Sequence, residues 1–497
     1  MALKANKRSW DIVADESTAT AQLIDLIHDV HFNDLPAQVV HDTKRLIADT
    51  VGCALGARQH AAAQMAVEVA AEMGGPGVGG PATVVGTRVT AAPAVAAAAN
   101  MYLGNYLDAD DTYLSFSHPG VAAVFPGLAF AESSELSGEA LIAAVALGYE
   151  VGCRVGGALE FMRVTATGDI EAVPGCLGWY GFIVAGAVGK LLDFAPDQYN
   201  NAFGLAGWTA PIETGQFFAP VLRPGKHMLK YSPVSSMGIN GVMAAQLARK
   251  GFVGEQNIFD APEEFWRAFG TVGLNRQRLL DGLGETWQVS RTSFKPYSAC
   301  RYGHPAISLF TRLIQRHDLK PDDIDRVVVR TFERGVDWLG PTYAPQTPSD
   351  VQFSIPMALG AAAHGSDLGP SWQDNESIHD PRYLAFARKV VVEGHPDSGK
   401  AIFEQMLAAG RFTRIPNEVE ISARGEQFSE SCEYVWGDPW SNDTRMTDDQ
   451  VKDKYRIYAE AALSAAQVEQ SLDVLFTLEG VTNVAKELAP LLQQEIA

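Results

Sequence analysis

The chain has 497 residues, more than one hydrophobic core usually organises, so two domains or one domain with an insertion are expected. Its 47% apolar and 20% charged residues are typical of an ordinary folded protein and exclude a disordered or fibrous class. The net charge of -20 argues against a nucleic-acid partner and against an anionic membrane surface, because both require dense Lys and Arg.

Targeting signals and cysteine spacing indicate where in the cell the protein works. The opening stretch MALKANKRSWDIVADES carries two basic clusters without a following apolar region and cleavage site, so no signal peptide is predicted. The longest apolar runs are interrupted well short of the ~20 residues that a membrane-spanning helix needs. Five cysteines lie far apart with no CxxC spacing, which favours a reducing compartment and disfavours an iron–sulfur cluster. The sequence therefore predicts a cytoplasmic protein without a membrane partner.

In chain order, the first predicted elements are helices. Residues from about 16 to 275 show apolar positions at three- and four-residue spacing, which predicts a compact helical body. Two clear helices are expected within 35–57 and within 137–161, and Ser137 is placed to cap the second. The density of Ala and Gly in 91–105 and 178–189 predicts close helix-on-helix packing.

The pattern changes after about residue 280, where strand signals begin. The β-branched run Val327 to Thr331 and the stretches KVVVEGHPD and NEVEISARGEQFS predict strands, the last with a turn at Arg424 and Gly425. From Thr447, an expected N-cap, a helical pattern returns and continues to the C-terminus.

These elements predict a mainly α protein with a smaller α+β unit inserted into it. The predicted divisions are a helical domain over 1–280, an α+β domain over 281–425 and C-terminal helices over 426–497 that rejoin the helical body.

The stretch YLDADDTYLSFSHPG, residues 106–120, follows an apolar helix expected from Ala92 to Leu107. Carboxylates at a helix C-terminus are disfavoured by the helix dipole, so something must compensate them. Three interpretations stay open: a solvated loop, a Mg²⁺ site, or an active-site loop. In the third, Asp108 orients the loop or a base, Thr112 donates a hydrogen bond and His118 transfers protons.

Two later segments favour the active-site interpretation. GKHMLKYSPVSSMG places Lys230 in front of a helix that should begin near Ser235 or Ser236, where exposed N–H groups suit an anion. The second segment, FKPYSACRYGHP, is either a basic surface loop or part of the same site. It brings together Lys295, Tyr297, Arg301 and His304.

The segments NYLDADDTYLSFSHPG, LKYSPVSSMGINGVMAAQLARKGFVGE and FKPYSACRYGHP, in this order, resemble the MmgE/PrpD family. A weaker fourth match is TPSDVQFSIPMALGAAAHG. The resemblance implies a helical domain built from both chain ends, an inserted α+β lid, a homodimer and a cofactor-independent, metal-free site in the cleft between them. The matching positions are Asp108, Thr112, His118, Lys230, Lys295, Arg301 and His304, with Tyr343 of GPTYAPQTP as a looser match to a lid tyrosine.

The sequence also departs from the family pattern. Relatives of the dehydratase and decarboxylase types have a histidine in the region of EAVPGCLGWYGF, whereas this chain has none between His118 and His227. Cys300 stands where the decarboxylase type carries a histidine, although KPYxxCR agrees with the dehydratase type. Tyr231 and Pro233 replace the common Arg and His after the lysine.

The predicted activity is removal of a proton α to a carboxylate of a small di- or tricarboxylate, followed by elimination, as in 2-methylcitrate dehydratase. The predicted catalytic residues are His118, Lys230, Lys295 and Asp108, and the predicted substrate-binding residues are Thr112, Arg301, His304 and Tyr343. Epimerisation, as in iminodisuccinate epimerase, and decarboxylation, as in cis-aconitate decarboxylase, are the alternatives. Two remoter ones are a terpene cyclase, because DADD fits DxDD, and a noncatalytic helical scaffold with solvent-facing loops.

Overall fold

The computed structural model describes residues 18–73, 79–113, 117–164, 170–173, 177–211, 234–340 and 344–495. Helices dominate these residues, so the predicted mainly α class is confirmed. The helices of the first part are α1 Ala19–Asp29, α2 Ala37–Gly56, α3 Ala61–Met73, α4 Pro93–Tyr106, α5 Gly120–Ser133, α6 Gly138–Ala158, α7 Tyr180–Leu191, α8 Pro196–Trp208, α9 Val234–Arg249, α10 Glu263–Ala268 and α11 Arg276–Leu280. Short strand pairs join β1 Ala82–Thr83 to β2 Thr90–Ala91, β3 Leu159–Glu160 to β6 Gly273–Leu274, and β4 Met162–Val164 to β5 Ile170–Ala172.

The remaining helices and the main sheet lie in the second part of the chain. The helices are α12 His304–Arg316, α13 Glu333–Trp338, α14 Pro348–Gln352, α15 Ile355–Ala363, α16 Asn375–Ile378, α17 Pro381–Ala387, α18 Ser398–Ala409, α19 Asp448–Ala459, α20 Ala465–Phe476 and α21 Val484–Glu487. The strands are β7 Ile324–Thr331, β8 Val390–Gly394, β9 Asn417–Ala423 and β10 Glu426–Cys432, in the sheet order β10-β9-β7-β8. Strand β7 pairs parallel with β8 and antiparallel with β9, and β9 pairs antiparallel with β10.

The larger hydrophobic core is built from both ends of the chain. Its buried apolar residues run from Ala19 to Phe294 and then from Met446 to Leu492. Helix α19 packs against α2, which brings the C-terminal helices onto the first helical layer. At the centre α6 packs on α7, where a Cβ on Gly152 would overlap Ile183, so glycine allows the two backbones to approach closely.

Helix α6 is long and apolar enough to cross a membrane by length and composition alone. Within the protein, however, 89% of its most apolar 18-residue window is buried. Its apolar side chains are thus accounted for by the larger core.

The smaller core is formed by 299–423 and contains the four-stranded sheet with α12, α15 and α17. The core limits differ from the predicted boundaries. Residues Trp287, Val289 and Phe294 belong to the larger core, whereas the hairpin of β9 and β10 turns at Arg424 and Gly425 and continues to Cys432. A division at 280 is therefore too early, and one at 425 cuts a hydrogen-bonded hairpin.

Candidate functional site

The turn that follows α4 is fully buried. Leu107 caps the helix, and Asp108 adopts a left-handed conformation with φ 54°, the geometry that commonly ends a helix. Asp108, Asp110 and Asp111 are each 0% exposed. The solvated-loop interpretation is therefore wrong, as is the solvent-facing loop expected of a noncatalytic scaffold.

Asp108 joins two of the predicted catalytic residues. The ammonium of Lys295 donates to the carboxylate of Asp108 and also to its backbone oxygen, the latter at 2.7 Å. On the same carboxylate oxygen, Oδ1, the ring nitrogen Nε2 of His118 lies 3.6 Å away. Lys295 and His118 are both buried and distant in sequence, and the structure brings them together in a His–Asp–Lys cluster.

Asp110 holds the other side of the imidazole. Its Oδ1 lies 3.3 Å from Nδ1 of His118, and its Oδ2 accepts a 2.8 Å hydrogen bond from the side-chain amide of Asn105 in α4. The backbone N–H of His118 donates to the hydroxyl of Tyr180 at 2.5 Å. The ring therefore lies between two carboxylates, and its backbone is anchored to α7.

Asp111 turns away from His118 and closes the start of α5. Its Oδ1 accepts a 2.9 Å hydrogen bond from the backbone N–H of Gly120, and its Oδ2 accepts a 3.3 Å hydrogen bond from the Tyr149 hydroxyl. Burial, together with the nearby Asp110 carboxylate, holds the pKa of Asp111 well above its usual value. Its role in the described structure is to join the acidic turn to α5.

Asp108, Asp110 and His118 could together offer three ligand atoms to a metal, since these atoms lie within 4.8 Å of one another. Carboxylate oxygens and imidazole nitrogen suit several divalent cations. The ammonium of Lys295 already contacts the Asp108 carboxylate and supplies positive charge at that point. We therefore assign no metal to this cluster.

The segment from Ser293 to His304 is buried, so the surface-loop interpretation of FKPYSACRYGHP is wrong. Lys295, Arg301 and His304 are 1%, 4% and 1% exposed. A backbone bridge ties the segment to the acidic turn: the N–H of Thr112 donates to the oxygen of Ser293 at 2.8 Å, and the reverse bond is 2.9 Å. The Thr112 hydroxyl is also buried and has no hydrogen-bond partner among the described residues.

Arg301 was predicted to grip a substrate carboxylate, and the structure gives it a protein carboxylate. Its Nη2 donates to Asp438 at 2.5 Å, and the hydroxyl of Ser293 donates to the same carboxylate at 2.7 Å. The Nε and Nη1 atoms of Arg301 are buried without a hydrogen-bond partner in the described part of the chain. Asp438 was missed at the sequence level. Its signal, an Asp between Gly437 and Pro439 just after a strand, is common to ordinary turns.

His304 lies at the start of α12 and faces its own loop. Its Nε2 is 2.9 Å from the backbone oxygen of Ala299. Burial, reinforced by the positive charge of Lys295, lowers the pKa of His304 to about 3. The ring is therefore neutral near pH 7 and anchors the loop that carries Lys295.

Two predicted site residues, Lys230 and Tyr343, lie outside the described residues, as do Tyr231 and Pro233. Helix α9, expected to begin near Ser235 or Ser236, begins at Val234. Cys300 is buried in the smaller core, and its backbone N–H donates to Gln352.

Comparison with known proteins matches almost the whole length of the chain. Residues 21–276 match the MmgE/PrpD N-terminal domain, and residues 297–478 match the MmgE/PrpD C-terminal domain. The chain belongs to the MmgE/PrpD family. This membership confirms the resemblance carried by the three ordered segments. The terpene cyclase interpretation rests only on the four residues of DADD.

Curated relatives of this MmgE/PrpD protein share little identity but cover nearly all of it. The cis-aconitate decarboxylase-like protein oryM of Aspergillus oryzae is 23% identical, over 95% of this chain and 97% of its own length. The cis-aconitate decarboxylase of Aspergillus terreus is 22% identical over 96% of both chains. The human cis-aconitate decarboxylase is 24% identical, over 93% of this chain and 91% of its own.

Proposed function

We propose that this MmgE/PrpD protein is a lyase that acts on a small di- or tricarboxylate by proton transfer at a carbon next to a carboxylate. The observation that supports this most directly is the meeting of His118 and Lys295, both buried, on the one carboxylate of Asp108. A buried imidazole and a buried ammonium, held in one polar cluster, are the groups that such a reaction needs.

His118 is assigned as a proton-transfer group. Carboxylate oxygens lie 3.6 Å from Nε2 and 3.3 Å from Nδ1, so both ring nitrogens have a polar neighbour. A protonated imidazole can donate to a leaving hydroxyl, which then departs as water while a second group accepts the proton from the α-carbon. We assign that second role to Lys230, and we assign Asp108 to orient the imidazole.

Lys295 is assigned to stabilise negative charge. Removing a proton α to a carboxylate places extra charge on the carboxylate oxygens, and a preorganised cation lowers the cost of that charge. Arg301, whose Nε and Nη1 have no protein partner among the described residues, and the Thr112 hydroxyl are assigned to bind substrate oxygens. Tyr343 is the remaining assigned substrate contact, and His304, also predicted to bind substrate, is assigned through its contact with Ala299 to hold the loop that carries Lys295.

Elimination of water is the first candidate reaction because KPYSACR agrees with the dehydratase-type pattern. Decarboxylation is the second, and the observation in its favour is that relatives named cis-aconitate decarboxylase align over nearly the whole chain. Epimerisation of a dicarboxylate is a third outcome of the same proton transfer, if His118 and Lys230 face opposite sides of one carbon.

The reaction is tested by incubating the protein in D₂O with 2-methylcitrate, citrate, cis-aconitate and substituted succinates, followed by NMR. Alkene formation, CO₂ loss or deuterium incorporation without elimination identifies a dehydratase, a decarboxylase or an epimerase in turn. The variant His118→Asn should lose about 10²- to 10⁴-fold in kcat while it still folds, as circular dichroism can check. The matched control, His379→Asn, changes an exposed histidine in α16–α17 and should keep wild-type turnover.

Deuterium exchange and turnover that are equal in wild type and His118→Asn would contradict the assignment of His118. The homodimer, the cytoplasmic location and the absence of nucleic-acid and membrane partners stay predictions.

A further inference from the structure

A second buried lysine, from the C-terminal helices, contacts the acidic turn. Lys454 lies in α19, and its Nζ donates to the backbone oxygen of Ala109 at 2.6 Å and to Oδ1 of Asp49 at 2.6 Å. Asp49 belongs to α2, against which α19 packs. The side chains of Lys454 and Asp49 are 6% and 0% exposed, so this ion pair is part of the larger core.

The two lysines hold consecutive peptide oxygens of the turn. Lys295 donates to the oxygen of Asp108 at 2.7 Å, and Lys454 donates to the oxygen of Ala109 at 2.6 Å. These oxygens follow the C-terminus of α4, where the helix dipole is negative and the acidic side chains of the turn are buried close by. The two ammonium groups thus supply the compensation that the sequence of the turn requires.

Because Lys454 forms an ion pair with Asp49, replacing Lys454 alone would affect more than the acidic turn. Burial raises the pKa of Asp49, with Asp110 adding to the rise and Lys454 opposing it. Without Lys454, the Asp49 carboxylate would stay buried and unpaired beside a turn rich in acid, which is strongly destabilising. A test of Lys454 must therefore remove both charges of the pair.

We propose that Lys454 is a positioning residue: by fixing the Ala109 oxygen, it holds the turn in the conformation in which Asp108 and Asp110 flank His118. Lys454 contacts the turn and Asp49, so it affects the reaction by holding the turn in place and does not need to touch the substrate. The catalytic part of this inference rests on the proposed function, whereas the structural part does not.

The test compares Asp49→Asn with Asp49→Asn/Lys454→Met. The single variant keeps the hydrogen bond to Ala109, whereas the double variant removes it and leaves no buried charge from the pair. In the double variant we expect kcat to fall by roughly 10²-fold with KM changed only a few-fold, because a misplaced catalytic group affects the chemical step. In Asp49→Asn we expect kcat to stay within a few-fold of wild type.

A second readout needs no substrate. The ring ¹⁵N and ¹H signals of His118, assigned by their loss in His118→Asn, should move in the double variant and stay in place in Asp49→Asn. Wild-type kcat and an unmoved His118 signal in a folded double variant would overturn the proposal. If the wild type turns over none of the carboxylates, the proposed function fails while the His118 signal still decides the role of Lys454.

If the double variant does not fold, Asp49→Asn/Lys454→Gln takes its place. The Gln side chain is shorter than Lys and should not hold the Ala109 oxygen at the same position. The His118 signal should therefore move in this variant too, and an unmoved signal would overturn the proposal equally.

Discussion

Asp108 combines two properties that are unusual for a single residue, a left-handed backbone and a fully buried carboxylate. Left-handed φ values are uncommon outside glycine, and Asp is among the side chains that tolerate them. The Lys295 ammonium on Oδ1 and the nearby imidazole of His118 offset the free-energy cost of burying this carboxylate. Both properties follow from the need to turn the chain back toward His118 directly after α4.

His304 makes the stability of the protein depend on pH. The pKa of an unfolded histidine is about 6.5, whereas the pKa of folded His304 is about 3. Between these values unfolding takes up one proton, so the free energy of unfolding falls as pH falls, by about 1.4 kcal/mol per pH unit for this residue. Above pH 6.5 the contribution is complete.

Urea unfolding of wild type and His304→Gln between pH 4 and pH 7 checks this. The variant should show a shallower loss of stability toward low pH, whatever its stability at pH 7. Equal slopes in wild type and His304→Gln would show that the buried ring is protonated in the folded protein.

At the scale of elements, the site depends on how α4, the acidic turn and α5 are joined. Gly120 begins α5 and donates its N–H to Asp111, and a Cβ at this position would overlap the Asp111 carboxylate. The close contact keeps the turn short, so that His118, two residues earlier, returns to the carboxylates of Asp108 and Asp110.

Gly120→Ala should therefore destabilise the protein by about 1–3 kcal/mol, the usual cost of overpacking, and should also lower kcat. Thermal unfolding and turnover measure the two effects. The matched control is Gly399→Ala in the first turn of α18, where a Cβ meets nothing within 4 Å, so the free energy of unfolding should not fall. A Gly120→Ala variant as stable and active as wild type would contradict the tight turn.

Local signals predicted much of the secondary structure. Ser137 and Thr447 cap their helices as expected, and the β-branched run at 327–331 lies in β7. The burial of the acidic turn could not be predicted in this way, because its compensating cations, Lys295 and Lys454, are distant in sequence and reach it only through tertiary packing. The local sequence shows that the turn is acidic, but it does not show which distant lysines will contact it.

At the scale of the whole molecule, one apolar surface has no described cover. Helices α3 and α9 expose an apolar side chain at every fourth residue, and a groove of about 290 Å³ lies between them over α4. The exposed side chains on these helices are Met65, Val69, Met73, Ile239, Met243 and Leu247. Exposed apolar surface of this kind commonly marks an interface. Ridges with four-residue spacing can pack into a groove of the same spacing, so we propose that a second copy of the chain covers this surface.

The variant Met243→Glu should weaken the dimer, because Met243 is 51% exposed on the ridge of α9 and a charge there would be desolvated on association. Sedimentation velocity over a range of concentrations measures the change. Ile457→Glu, at a 46% exposed position on α19, is the matched control and should leave the wild-type association unchanged. A monomeric wild type, or a Met243→Glu protein that associates as wild type does, would contradict this assignment.

We propose that the substrate reacts at the buried cluster of His118, Asp108 and Lys295. The most direct measurement is a crystal structure with tricarballylate, a saturated tricarboxylate that has no hydroxyl group to lose. We expect a carbon next to a carboxylate to lie against the His118 imidazole, with a carboxylate near Lys295. A ligand bound away from His118, for example in the polar pocket lined by His364 and Tyr383, would contradict it.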